Sequence, residues 1–260
     1  MNYFKITAFI LLSFPLLLLA QKKKSQGEFY QVTVYHFKNS DQQKIIDNYL
    51  EKAYLPGLHR QQVKQVGVFA PITNDTAADK RLYVVLPLKS LDEAANLPAR
   101  LELDNEYLSN GKEYIDAAYN APAFTRVENI LLKAFPLAPS MELPKLKSTV
   151  SEKIYELRSY EGASEKIFRN KVKMFNEGGE IALFKRLNFN AVFYASVIAG
   201  SQMPNLMYMT SFENMEDRNQ HWKNFGADAE WKQISALPEY QNNVSRIEII
   251  LMKATSYSDY

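Results

Sequence analysis

A phrase of alternating residues occurs twice in the chain and constrains its fold more than any other feature. Residues 154–160 read Ile-Tyr-Glu-Leu-Arg-Ser-Tyr, and residues 29–35 read Phe-Tyr-Gln-Val-Thr-Val-Tyr. Both phrases alternate with the period of two that is typical of a β-strand. A second pair of similar phrases follows at residues 126–134 and 246–254. The two pairs predict that the chain is a duplication of one unit.

Each copy is predicted to follow the order β-α-β-β-α-β. The strands are predicted at residues 28–37, 63–70, 82–88, 124–134, 153–161, 191–199, 206–212 and 244–254. Helices are predicted to begin near Ser40, Ser90, Ser164 and Asn214. Pro56-Gly57 is predicted to interrupt the first helix. This order is that of a ferredoxin-like unit, an antiparallel sheet with both helices on one face.

The predicted fold is therefore α+β, with two ferredoxin-like repeats. Residues 28–135 form the first repeat, residues 152–255 form the second, and the proline-rich residues 136–151 form a linker. The face of each sheet that the helices leave bare needs a cover. We expect the two repeats to pack sheet to sheet as a pseudo-dimeric α/β barrel.

The alternation also predicts which residues line the barrel. The apolar side chains of Tyr30, Val32, Val34, Tyr155 and Leu157 are expected to face the helices, together with His36. The interior is then expected to receive Tyr35, Glu156, Arg158 and Tyr160, and from the closing strands Arg126, Glu128, Ile130, Leu132, Arg246, Glu248, Ile250 and Met252.

Charged residues on these inward faces admit two interpretations. Glu156 and Arg158 could pair across the ladder with Arg246 and Glu248, since buried charges need partners. Alternatively, Arg158 or Arg246 could hold an anionic ligand in a polar pocket.

The first twenty residues predict export. Lys5 precedes an apolar run from Ile6 to Ala20, which is shorter than a membrane-spanning helix requires. This pattern predicts a signal peptide over residues 1–20 and a periplasmic or secreted protein without stable membrane insertion after cleavage. Leu18 and the basic residues 22–24 keep an uncleaved N-terminal anchor open as an alternative.

Composition excludes several classes of function. The 31 basic and 29 acidic residues are balanced, which argues against a nucleic-acid partner. Cysteine is absent, so disulfides and a thiolate nucleophile are excluded. The three histidines, His36, His59 and His221, lack metal-ligand spacing. No catalytic group, metal or cofactor is predicted, although a single histidine as a haem ligand remains an alternative.

The strand at residues 154–160, with Arg218-x-x-x-Trp222 and Asp228-Ala-Glu-Trp231, resembles the NIPSNAP family. The resemblance covers residues 153–254, and the first half resembles the family only as a diverged copy without either tryptophan. It implies a dimeric α/β-barrel fold, and the family has no agreed reaction. The chain departs from the family pattern at residues 161–164, where Glu-Gly-Ala-Ser replaces a proline-glycine.

Two functions are expected from these features. The first is an exported binding or interaction protein, with a small molecule or a protein as partner, which could also form a homo-oligomer. The second is a cofactor-independent oxygenase or isomerase that acts on a small aromatic or apolar compound, as some relatives in the superfamily are. The candidate ligand-binding residues are Tyr35, Glu156, Arg158, Tyr160, Trp222, Trp231, Arg246 and Glu248. The two tryptophans could instead serve only in packing.

Overall fold

Eight antiparallel strands close into a barrel in the computed structural model, which describes residues 27–260. The strands are β1 (Phe29–Phe37), β2 (Gly67–Pro71), β3 (Lys80–Leu88), β4 (Arg126–Ala134), β5 (Ile154–Glu161), β6 (Phe193–Ala199), β7 (Asn205–Phe212) and β8 (Arg246–Ala254). Their order around the barrel is β1-β3-β2-β8-β5-β7-β6-β4. The predicted signal segment lies outside the described residues.

Helices follow the first and third strand of each half. They are α1 (Ser40–Tyr49), α2 (Leu55–Arg60), α3 (Leu91–Leu101), α4 (Asn105–Asn110), α5 (Lys112–Ile115), α6 (Glu165–Asn176), α7 (Glu180–Arg186), α8 (Met215–Ala227) and α9 (Ala229–Ala236). Within residues 27–260, none of the helices has the length and apolar character needed to cross a bilayer.

Two seams of backbone hydrogen bonds join the halves. At one seam β2 pairs with β8, where Phe69 lies opposite Ala254. At the other β4 pairs with β6, where Ala134 lies opposite Ala195. The contact between halves is therefore a continuous sheet as well as the packing of faces, and no strand edge is left open around the ring.

Polar caps begin the helices that follow β3 and β7, as predicted. The Ser90 hydroxyl accepts from the Glu93 backbone N–H at 3.1 Å, and the Glu93 carboxylate accepts from the Lys89 N–H at 2.6 Å. In the second half the Asn214 side chain accepts from the Asp217 N–H at 2.9 Å. These hydrogen bonds satisfy backbone N–H groups that have no carbonyl partner within the first turn of the helix.

The predicted interruption at Pro56-Gly57 is wrong. The chain stays helical from Ser40 to Arg60, because residues Leu50–Tyr54 form a π-helical turn between α1 and α2. Pro56 has no N–H to offer the Lys52 carbonyl four residues before it, and that carbonyl instead accepts from the Asn110 side-chain amide at 3.2 Å. Gly57 permits a close approach, since a Cβ there would lie 2.9 Å from Leu101.

The predicted orientation of the side chains of β1 and β5, toward the helices or toward the barrel, is also wrong. Val32, Tyr155 and Leu157 point into the barrel, where they form one buried cluster with side chains of all the other strands. Tyr35 and Tyr160 instead pack beneath the helices of their own halves. Both faces of these strands are buried, one in the barrel and the other beneath the helices, so alternation alone does not decide which side chains point inward. The inward direction predicted for Leu132 and Met252 is confirmed, and Ile130 and Ile250 pack against the same cluster.

Aromatic side chains fill one end of the barrel. The ring of Phe69 lies 4.7 Å from that of Tyr155 and 5.4 Å from that of Tyr260. The Tyr260 hydroxyl contacts the Met141 sulfur at 2.6 Å. This end is therefore packed like a protein core, and the open space of the barrel lies at its other end.

Tyr155 offers a test of this packing. Its ring is fully buried, and its hydroxyl has no hydrogen-bond partner among the described residues. We expect Tyr155→Ala to lower the free energy of unfolding by about 3–5 kcal/mol, because it leaves a cavity. Tyr155→Phe should leave stability equal or higher, because it removes an unsatisfied buried group. Urea denaturation measures both, with Tyr119→Ala at a 97% exposed position as the control. A large loss in Tyr155→Phe would contradict this account.

Candidate functional site at the barrel mouth

A cavity of about 450 Å³ opens at the end of the barrel where β1 ends and β4 and β8 begin. We call this cavity the mouth. Its floor is apolar and consists of Val34, Ile130, Val197, Met207 and Ile250. Its walls carry one imidazole, that of His36, and the charged side chains of Asp79, Arg81, Arg126, Glu128, Arg246 and Glu248. An apolar floor with a few polar groups above it is the usual composition of a small-molecule site.

His36 sits at the centre of the charged wall. On the neighbouring strands it lies opposite Arg81 of β3 and Arg126 of β4. Its Nδ1 lies 2.9 and 3.0 Å from the two carboxylate oxygens of Asp79. Its Nε2 lies 3.4 Å from Glu128 Oε1 and, among the described residues, makes no hydrogen bond. The imidazole is therefore flanked by two carboxylates.

An arginine holds each of these carboxylates. Arg81 Nε donates to Asp79 at 2.9 Å, and Arg126 pairs with Glu128. Burial by itself raises the pKa of Asp79, but the hydrogen bonds from His36 and Arg81 outweigh burial and lower the pKa. Asp79 thus stays ionised at neutral pH.

Two guanidinium groups at the mouth are available to a ligand. The Arg126 and Arg246 side chains are 60% and 63% exposed. The contact of Arg246 with Glu161 is long, at 3.7 Å. Glu248 lies 3.6 Å from Arg81. The predicted cross-ladder pairs of Arg246 and Glu248 with Glu156 and Arg158 do not form.

Asn205 adds a buried polar group to the wall. The side-chain amide donates to the Ser159 hydroxyl at 2.8 Å, while Oδ1 has no protein partner within the described residues. If the amide is assigned in the opposite orientation, the same position carries an unpartnered donor. Buried polar atoms are usually hydrogen-bonded, and Asn205 Oδ1 is one of the exceptions among the described residues at the mouth.

Four of the predicted site residues come together elsewhere, beneath α8 on the outer face of β5. Glu156 is fully buried and accepts from Arg158 Nε at 2.5 Å, from Arg218 Nε at 2.6 Å and from the Trp222 indole at 2.9 Å. Arg158 also donates to the Tyr160 hydroxyl at 3.0 Å. The guanidinium of Arg158 stacks on Trp222, 3.6 Å from the ring centroid. We call these residues the Glu156 cluster.

The register of β5 against β8 explains why this cluster does not face the barrel. Arg158 lies opposite Ile249, and Ser159 lies opposite Glu248. Because successive side chains alternate, Ser159 and Glu248 share the inner face and Arg158 takes the outer one. Arg218 and Trp222 lie four residues apart on α8, and they supply the hydrogen-bond partners that the buried Glu156 carboxylate requires.

Trp231 lies apart from this cluster. Its ring packs on Phe225 at 4.4 Å, and the buried Lys171 ammonium lies 5.8 Å from it. Lys171 pairs with the buried carboxylate of Glu180 at 2.7 Å. Burial raises the pKa of Glu180 in spite of Lys171. Trp231 therefore packs within the second half, and it also lines an open surface cavity of about 450 Å³ next to Lys171 and Tyr240.

Tyr35 lines a second, smaller cavity of about 200 Å³ on the helix side of the first half. We call it the tyrosine cleft, because Tyr49, Tyr54 and Tyr107 also line it. At its rim Asn129 Oδ1 accepts from the Thr33 hydroxyl at 2.7 Å and from Gln31 at 3.1 Å. The cleft thus combines aromatic walls with a fixed set of polar groups.

Sequence reasoning missed the central residues of the mouth. His36 alternates with Val32 and Val34, so the alternation wrongly predicts that all three side chains face the helices. Glu128 is predicted to face the barrel interior but is not among the predicted ligand-binding residues. Asp79 lies in a polar turn just before β3, and nothing in the sequence links it to His36. Within residues 27–260, no group of three or more acidic or histidine side chains could hold a metal ion.

The Glu156 cluster predicts a measurable loss of stability. Burial alone would raise the pKa of Glu156, but Arg218 and Arg158 outweigh it and lower the pKa. We expect Glu156→Gln to lower the free energy of unfolding by about 3–5 kcal/mol at neutral pH, because two partly buried arginines lose their counter-ion. Because the folded pKa is lowered, this stabilisation is present above the ordinary glutamate pKa and is lost as pH falls through the folded pKa.

Urea denaturation of both proteins between pH 7 and pH 3 measures this effect. The difference between wild type and variant should narrow in acid. Glu216→Gln, at an exposed position on α8, should change stability by less than about 0.5 kcal/mol. A difference that stays constant with pH would show that the charge of Glu156 is not responsible.

Comparison with known proteins agrees with the barrel and with the family resemblance. Residues 155–259 match the sequence model of the NIPSNAP family. The fold is similar to that of a candidate monooxygenase from Lactobacillus acidophilus, with 9% identity over 88% of this chain and 94% of that chain and a TM-score of 0.58. A candidate monooxygenase from Fusobacterium nucleatum has 7% identity over 88% and 92% of the two chains and a TM-score of 0.53.

A third solved structure, an anthrone oxidase-like protein, has 7% identity over 88% and 92% of the chains and a TM-score of 0.51. At such identities the likeness shows the fold alone. No curated protein matches the chain. The family match covers the whole of the Glu156 cluster. It ends one residue before Tyr260, whose ring helps to fill the closed end of the barrel. The second half of the chain, residues 155–259, is a NIPSNAP-family domain.

Proposed function

We propose that this chain is an exported binding protein whose mouth holds a small organic carboxylate with an apolar body. The observation that carries the proposal is the mouth itself, a cavity of about 450 Å³ with two half-exposed guanidinium groups above an apolar floor. Cavities of a few hundred Å³ suit small ligands.

The chemistry of the walls supports this ligand class. Arg126 and Arg246 offer planar forks that bind a carboxylate through charge-assisted hydrogen bonds. Met207 and Ile250 offer an apolar surface for the rest of the molecule.

The tandem arrangement and the export of the chain belong to the same proposal. Around the barrel, the first half contributes strands in the order β4-β1-β3-β2, and the second half contributes β8-β5-β7-β6. The equivalent orders support two ferredoxin-like repeats, residues 28–135 and 152–255. The apolar run after Lys5 supports a periplasmic or secreted location.

Binding to the mouth can be tested with a panel of probes, namely benzoate, 4-hydroxybenzoate, phenylacetate and hexanoate. We expect at least one to raise the melting temperature and to bind in calorimetry. Arg126→Ala and Arg246→Ala should each weaken binding of that probe by about 10- to 100-fold, since a hydrogen bond to a charged group contributes about 1.5–3 kcal/mol.

Arg169→Ala is the matched control, because Arg169 is an exposed arginine on α6 away from the mouth. It should leave the dissociation constant unchanged. Equal weakening in all three variants, or no binding of any probe, would contradict the proposal.

A second candidate function is a cofactor-independent oxygenase or isomerase of a small aromatic compound. The tyrosine cleft favours it, because four tyrosines and the Gln31–Asn129–Thr33 hydrogen bonds surround a space of about 200 Å³. The second half has no equivalent opening at Glu156 and Arg158, since that space is filled by the Glu156 cluster. Two of the solved structures with this fold are candidate monooxygenases and one is anthrone oxidase-like.

The enzyme candidate predicts oxygen consumption in the cleft. With anthrone as the probe, wild type should consume oxygen without an added cofactor. Ala94→Trp should reduce the rate at least tenfold, because Ala94 lines the cleft and the indole would fill it. Ala95→Trp, at an exposed position on the same helix, should keep the wild-type rate. An oxygen electrode measures all three, and no uptake by wild type would count against this function.

A further inference from the structure

His36 is the one histidine at the mouth, and it connects two ion pairs that would otherwise be separate. Asp79 and Arg81 lie on its Nδ1 side, and Glu128 and Arg126 lie on its Nε2 side. Its side chain is only 9% exposed, and Nε2 is buried without a hydrogen bond in the described part of the chain. Glu128 Oε1, at 3.4 Å, is the closest carboxylate to that nitrogen.

The Glu128 carboxylate lies between Arg126 and His36, and its Oε2 also accepts from the Ser201 hydroxyl at 3.4 Å. At present it pairs with Arg126, whose side chain is 60% exposed and reaches the cavity. A ligand carboxylate that binds Arg126 competes directly with Glu128 for the same guanidinium. Glu128 would then lose its ion pair with Arg126 while it remains beside His36 Nε2. A hydrogen bond donated by Nε2 would replace that ion pair. Such a bond requires a proton on both ring nitrogens, because Nδ1 already donates to Asp79.

We propose that binding of a carboxylate at the mouth transfers Glu128 from Arg126 to His36, and that the imidazole takes up one proton from solvent as it does so. The inference rests on the proposed binding function and deepens it. The ligand class is a carboxylate as opposed to its neutral amide, because only the anion displaces Glu128. His36 contacts Glu128 and not the ligand, so it is a positioning residue.

The other charged groups around His36 do not supply this proton. Arg81 from β3, Arg126 from β4 and Arg246 from β8 keep their charge throughout the accessible pH range. Hydrogen bonds from His36 and Arg81 hold the pKa of Asp79 low against the effect of burial, and burial raises the pKa of Tyr83. Glu128 and Glu248 are the other carboxylates that line this cavity. Imidazole is the group that ordinarily changes charge near neutrality.

The direction in which ligand affinity changes with pH follows from the uptake of a proton on binding. Because the complex holds one proton more than the free protein, affinity is greatest in mild acid. It falls as pH rises, by up to about tenfold per pH unit, because binding must take a proton from an increasingly dilute supply. Binding of a neutral amide should show no such slope.

Calorimetry in two cationic amine buffers, Bis-Tris and Tris near pH 7.4, counts the protons that binding takes up. The probe is the carboxylate of the earlier panel that binds most tightly, and its amide is the matched control ligand. We expect wild type to take up close to one proton with the carboxylate and none with the amide. His36→Asn should bind the carboxylate without proton uptake, and its affinity should lose the pH slope.

Glu128→Gln keeps the test decisive if His36→Asn does not fold. It should bind the carboxylate more tightly at neutral pH, because glutamine competes less for Arg126, and it should take up no proton. Binding by wild type with equal heats in both buffers would overturn this inference and leave the proposed function standing, and so would uptake that persists in either variant. Failure of every carboxylate to bind would overturn both.

Discussion

Closure of the sheet is the constraint on which the rest of this structure depends. Once β2 pairs with β8 and β4 pairs with β6, every strand has two neighbours and the inner face is cut off from water along most of its length. An enclosed face must be filled at the density of a protein core. The rings of Phe69, Tyr155 and Tyr260 fill one end, which confines any ligand-sized space inside the barrel to the other.

The outer faces of the two halves solve the same packing problem with different chemistry. In the second half a fully buried carboxylate, Glu156, fixes α8 to β5 through Arg218 and Trp222. An arrangement of this kind tolerates little change, because removal of one partner leaves a buried charge. In the first half the corresponding strand carries Gln31 and Thr33, whose neutral groups need fewer partners. The space beneath the helices there remains partly open as the tyrosine cleft.

The mouth and the tyrosine cleft therefore differ in what they can hold. The mouth combines half-exposed arginines with paired carboxylates, an environment in which an incoming anion must compete with existing ion pairs. The cleft is smaller, and its polar groups already hydrogen-bond to one another. Such differences bear on both the charge and the size of a ligand, and they arise within one barrel because its two halves carry different residues.

The sequence alone determined the order of the elements, since each period of two or 3.6 is a local property. It placed all eight strands within a few residues, and the phrase at residues 154–160 with Trp222 and Trp231 identified the family. Alternation could not determine which face of β1 and β5 turns inward, because both faces are buried, one in the barrel and the other beneath the helices. Asp79, His36 and Glu128 come from three separate segments, so their meeting depends on strand register. Register is set by hydrogen bonds between strands that are distant in sequence, and that is why only the tertiary structure assembled the mouth.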